Sequence, residues 1–146
     1  MTEAPPLSEA LSSWGGRFQA ALVERLLWRL GVDRRDEASD FELAAALSNA
    51  LELRSATIDR IFFDWRGGRD PGAEIYPQQP FRDLAARLAG RERKPEHRYW
   101  AEAEPCSMHI EEVEAIWAAI ATSDDWAPLE AKIAAIRRMG EAHLRG

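Results

Sequence analysis

The 146-residue sequence holds a single cysteine, Cys106. One thiol excludes an internal disulfide framework and any zinc site built on several cysteines, and it fits a reducing cytoplasm. No apolar run approaches the roughly 20 residues that a membrane helix requires. The opening residues Met1-Thr2-Glu3-Ala4-Pro5-Pro6 offer neither a basic nor an apolar leader region, so no secretory signal is expected. Positive charge is also scarce: 19 basic residues face 25 acidic ones, a net of -6. A nucleic-acid binder concentrates basic residues on one face. The densest basic stretch here, Arg91-Glu92-Arg93-Lys94, is interrupted by an acid and followed by Pro95, and it reads as a solvated loop. Neither G-x-x-x-x-G-K-[ST] nor G-x-G-x-x-G occurs, so the usual nucleotide-phosphate cradles are missing.

What is present is the mixture of a folded soluble domain, 46% apolar and 30% charged, rather than a disordered tail. Residues 1–13 read as a loose leader, because Pro5-Pro6, Ser12-Ser13 and then Gly15-Gly16 interrupt helical pattern. Residues 14–146 read as one all-α domain of about six helices, an irregular array with long loops. The first helix carries Phe18, Leu22, Leu26 and Leu30 at i+4 spacing, with Val23 and Leu27 widening the stripe and Gly31 at its end. The second begins near Ser39, which has capping-box spacing to Glu42, and places Phe41, Ala44, Leu47 and Leu51 on one face. The third runs from Thr57 to about Arg66 with Ile58, Ile61, Phe62 and Trp65, and Gly67-Gly68 ends it. Pro80 suits the first turn of a fourth helix with Phe81, Leu84 and Leu88. Ser107 is expected to cap a fifth with Ile110, Val113, Ile116, Trp117 and Ile120 along one side. Asp124 or Asp125 caps a sixth, with Leu129, Ile133, Ile136 and Met139. The connections at 67–80 and 90–107 are too long for a simple up-down bundle.

Few side chains form a catalytic pattern. His109 and Glu112 have i,i+3 spacing, yet a two-metal bundle site needs a second such pair and more inward carboxylates, so no metal is expected. His97 and His143 have no matching partners in sequence. Cys106 lies three residues before His109, but a nucleophilic thiol needs a base held beside it by a third group. The turn at Gly67-Gly68, flanked by Trp65, Arg66 and Arg69, is the best anion candidate; a helix stop is the simpler reading of the glycines alone, although Asp64-Trp65-Arg66-Gly67-Gly68 is an unusually specific string for a mere stop. Of the six tryptophans, Trp28, Trp65 and Trp117 fall on apolar stripes and are expected in the core. Trp14, Trp100 and Trp126 sit at loop or helix-start positions. Trp100, beside Tyr99, either plugs a gap between helices or belongs to a docking surface.

Three strings and an opening helix carry a resemblance: IFFDWRGG at 61–68, EPCSMHIEEVEAIW at 104–117, DDWAPL at 124–129, and the helix ending in RLGV at 29–32. Together, over about residues 14–140, they resemble the C-terminal helical region of selenoprotein-O-like proteins. Members of that family have a protein-kinase-like fold and transfer AMP from ATP to protein hydroxyls. The resemblance implies a kinase-like catalytic domain as partner, with ATP and Mg held there. The chain departs from the family in lacking the glycine-rich loop, the paired lysine and the Asp/Asn metal ligands. It is therefore expected to bind no cofactor alone, and to act as an accessory or regulatory helical domain in the cytoplasm, away from membranes and nucleic acid. The alternative is an independent helical protein-protein interaction module. The family often carries a redox-active cysteine near its C-terminus, a role the resemblance extends to Cys106. With no second cysteine, any disulfide there would be intermolecular.

Overall fold

The longest helix, α1 (Leu7–Leu30), starts earlier than the pattern indicates and runs through Gly15-Gly16 without a break. The computed structural model describes residues 7–93 and 96–144, with side chains from residue 11 onward. The expected leader is thus corrected over residues 7–13, which are helical. Its first six residues lie outside the described residues. A glycine inside a helix costs about 1 kcal/mol relative to alanine, and long helical flanks on both sides outweigh two such penalties.

Five further helices follow: α2 (Glu37–Glu52), α3 (Ile58–Asp64), α4 (Gln79–Leu88), α5 (Ile110–Ser123) and α6 (Ala127–Leu144). Single 3-10 turns occupy Arg66–Gly68 and Arg98–Ala101. Among the described residues there is no strand, so the all-α expectation holds.

Several caps differ in detail from the sequence reading. Asp36, not Ser39, caps α2, its carboxylate accepting from the Ser39 N–H at 2.9 Å. Glu42 reaches across to Arg87 on α4 instead of closing a capping box. Thr57 caps α3 by accepting from the Arg60 N–H at 3.2 Å. His109, not Ser107, precedes α5. Asp124 ends α5 in a left-handed conformation, and Asp125 accepts from the Ala127 N–H at the start of α6.

The core forms where the C-terminal third of α1 meets α2, α3 and α4. Leu27, Leu30, Leu43, Leu47, Ile61, Trp65, Phe81, Leu84 and Leu88 are all essentially inaccessible there. Trp65, Tyr76 and Phe81 contact one another within it, with ring centroids 4.5 to 5.9 Å apart. A buried ion pair closes one side: Arg91 Nη1 lies 2.5 Å from Asp40 Oδ1, with both side chains at most 2% exposed. Burial alone would push the Asp40 carboxyl up. The Arg91 guanidinium and the Arg35 backbone N–H outweigh it and hold Asp40 below its ordinary value.

A second, smaller cluster joins Phe63, Tyr99, Trp100 and Ala142, with Cys106 and Met139 against it. It fastens α6 to the body through the Arg98–Ala101 turn. Beyond it, α5 packs mainly on α6, where Lys132 pairs with Glu112 at 2.5 Å and donates to the Ser107 carbonyl at 2.8 Å. No residue of α5 is buried. Trp117, expected in the core, is 66% exposed, and Trp28 is 45% exposed on the side of α1 that meets His143. The periodicity of α5 groups its apolar residues on one side, of which Ile116 and Ile120 are half-buried and Ile110, Val113 and Trp117 face outward.

Candidate functional site

The structure gathers Trp65, Arg66, Gly67, Gly68, Arg69 and Trp100 into one junction between the two clusters. Arg66 is its centre and is 1% exposed. Its Nη1 donates to the carbonyls of Trp28 at 2.9 Å and Arg29 at 3.1 Å in the last turn of α1, the Trp28 carbonyl also accepting from the Gly31 N–H at 3.0 Å. Its guanidinium carbon stands 4.6 Å from the Trp100 ring centroid, a cation–π contact out of water. Among the described residues, Nη2 has no hydrogen-bond partner. Burial, and to a lesser degree the charge of Arg93, lower the Arg66 pKa to about 10, so the side chain remains a cation at neutral pH. Arg69 is used in the same way, donating to the carbonyls of Phe63 at 2.6 Å and Trp100 at 3.2 Å.

Glycines make room for this arrangement. Gly31 has a φ of +68°, and a Cβ built on it would lie 2.5 Å from the Arg66 guanidinium carbon. The position needs glycine both for its backbone and for the arginine that lies against it. Gly68, with a φ of +74°, lets the chain at Glu92 approach so closely that a Cβ would meet its Cα at 3.2 Å. The neighbouring Gly67 carbonyl accepts from the Arg93 N–H at 2.7 Å. The Arg66, Gly67, Gly68 and Arg69 group therefore has an observed structural use: its arginines bind backbone carbonyls and its glycines allow close packing. Trp100, only 5% exposed, fills the gap between helices rather than presenting a surface.

Cys106 stands beside this junction, and His109 does not. Cys106 is half-buried, and its backbone N–H donates to the Tyr99 hydroxyl at 2.9 Å. It lines a cavity of about 40 Å³ together with Asp59, Tyr99, Trp100, Met139 and His143. That volume admits about one water and no substrate. His109 is exposed at the head of α5. The histidine that does approach the junction is His143, 5.0 Å from Trp100 and 5.5 Å from Trp28 between ring centroids. Burial, followed by the charges of Arg66 and Arg29, lowers its pKa, and its Nδ1 has no hydrogen-bond partner among the described residues. Sequence spacing offered no means of finding it, since its neighbours come from α1 and from the Arg98–Ala101 turn. Among the described residues, no group of three or more His, Cys, Asp or Glu side chains could hold a metal ion.

The accessible face of the molecule with the clearest chemical character is the outer side of α5. Ile110, Val113 and Trp117 project there with 41 to 66% of their surface exposed. Glu111 and Glu114 are exposed on the same helix and give the apolar strip an acidic margin.

Comparison with protein-family models, with curated proteins and with solved structures finds no match to this chain.

Proposed function

We propose that this domain works by binding another folded protein through the outer face of α5, and that it has no reaction of its own. One observation carries the reading: a 14-residue helix that contributes no buried residue yet aligns Ile110, Val113 and Trp117 toward solvent. A central tryptophan among smaller apolar residues, rimmed by charge, has the composition of a binding hot spot. The complementary surface is apolar with a basic margin.

The resemblance to the C-terminal helical region of selenoprotein-O-like adenylyltransferases supplies the partner: a kinase-like catalytic domain that holds ATP and Mg²⁺ itself. The chain would then be the accessory or regulatory helical part of that enzyme. The use of Arg66 and Arg69 on backbone carbonyls agrees with the expected absence of nucleotide binding by the chain alone.

Co-expression with the kinase-like catalytic domain of a selenoprotein-O-like protein tests this proposal. The expected result is a complex that survives gel filtration and is lost in Trp117→Glu, while the variant keeps its helical circular dichroism. Failure to form a complex overturns the choice of partner. Micromolar binding of Mg-ATP to the chain alone overturns the non-catalytic reading.

A further inference from the structure

Helix α1 carries two apolar stripes, and among the described residues only one of them packs into the core. Leu27 and Leu30 are buried in the core, with Val23 and Leu26 packed against it. Leu11, Trp14, Phe18 and Leu22 lie roughly 120° around the helix from these and are 67, 62, 51 and 44% exposed. Trp14 and Phe18 stack on each other at 5.1 Å between centroids, so the strip has an ordered aromatic centre. Gly15 falls on the same stripe, one turn after Leu11, and a Cβ there would meet nothing within 4 Å.

We propose that this strip pairs with the same strip of a second copy of the chain, α1 crossing α1 in antiparallel fashion near Gly15-Gly16. The order of residues points to this occupant. Read from either end, the stripe runs leucine, aromatic, aromatic, leucine about a centre near residue 16. A two-fold axis through that centre sets Leu11 against the partner's Leu22 and Trp14 against the partner's Phe18, each contact occurring twice. Such a self-complementary patch is what a two-fold interface requires. Gly15, on this side of the helix, lets the two backbones approach closely at the crossing.

Sedimentation equilibrium of the full chain between about 1 and 100 μM reads the association directly. The expected mass is twice 16.5 kDa. Phe18→Lys and Trp14→Glu, each alone, are expected to give monomers with unchanged helical circular dichroism, because both side chains are exposed. Mixing the two variants is expected to restore the dimer, since the new lysine and glutamate then face each other while the opposite Trp14–Phe18 contact stays intact. A chain that is monomeric at every concentration overturns the proposal and assigns the strip to a different protein. A dimer that survives both single substitutions overturns it in favour of pairing through α5. Single variants that do not recover on mixing overturn the antiparallel register.

Discussion

The two ends of α1 follow the same sequence rule and meet opposite fates. Its last turns bury Leu27 and Leu30 completely against α2, α3 and α4, while its first turns hold Trp14 and Phe18 in solvent. The same contrast separates α2, with six buried residues, from α5, with none. Hydrophobic periodicity therefore measures which residues share a face. Whether that face is core depends on what else the fold brings to it. The buried core lies in the body built by α1 to α4, and exposed apolar surface lies on the front of α1 and the outside of α5.

The largest expected differences come from paired substitutions in the two regions. Leu47→Ala should lower unfolding free energy by about 2–5 kcal/mol, and removing one member of the Asp40–Arg91 pair, as in Asp40→Asn, by about 3–5 kcal/mol. Trp117→Ala on α5 should stay within about 0.5 kcal/mol despite deleting a larger side chain. Urea titration followed by circular dichroism reads all three. A Trp117→Ala loss comparable to that of Leu47→Ala would erase the distinction between the regions.

A medium effect is expected where the two clusters join. Gly31→Ala drives a methyl group into the Arg66 guanidinium and strains the backbone, and should cost about 1–3 kcal/mol. The loss should show as a lower thermal midpoint, together with weaker quenching of Trp100 as the cation leaves its ring.

The smallest effect is a pH slope. The His143 pKa is lowered in the folded state, so the unfolded chain binds the proton more readily. Its contribution to stability is complete above the ordinary histidine value of about 6.5 and is lost as pH falls toward the folded value. Asp40 adds a second decline at lower pH, as its depressed carboxyl becomes protonated. Denaturation midpoints from pH 7.5 to 4.5 should show the first decline in the wild-type chain and not in His143→Gln.

Much of the helix content was legible because Leu, Ile and Ala recur with helical spacing between clear boundaries, the stops at Gly31 and Gly90 and the start at Pro80. The overextended leader came from treating Gly15-Gly16 as a stop, when a glycine pair inside a long helix lowers stability without ending it. The outward stripes of α1 and α5 could not be told from core stripes, since a single chain of residues does not state how many faces find a neighbour. Arg66 illustrates the harder limit. An arginine beside two glycines has the local chemistry of an anion site, and its actual acceptors lie 37 and 38 residues upstream. The Asp40–Arg91 pair spans 51 residues and is equally silent in the local pattern.

The fit of Gly31 beneath Arg66 has a consequence for descent. A side chain at position 31 and a guanidinium at position 66 exclude each other from the same space, so the two positions form a single heritable unit. Homologues that keep arginine at 66 are expected to keep glycine at 31, and those that replace the arginine with a smaller residue are freed to accept asparagine at 31. That linked choice, visible in aligned sequences without any structure, would mark distant descendants of this fold after their surface helices have diverged.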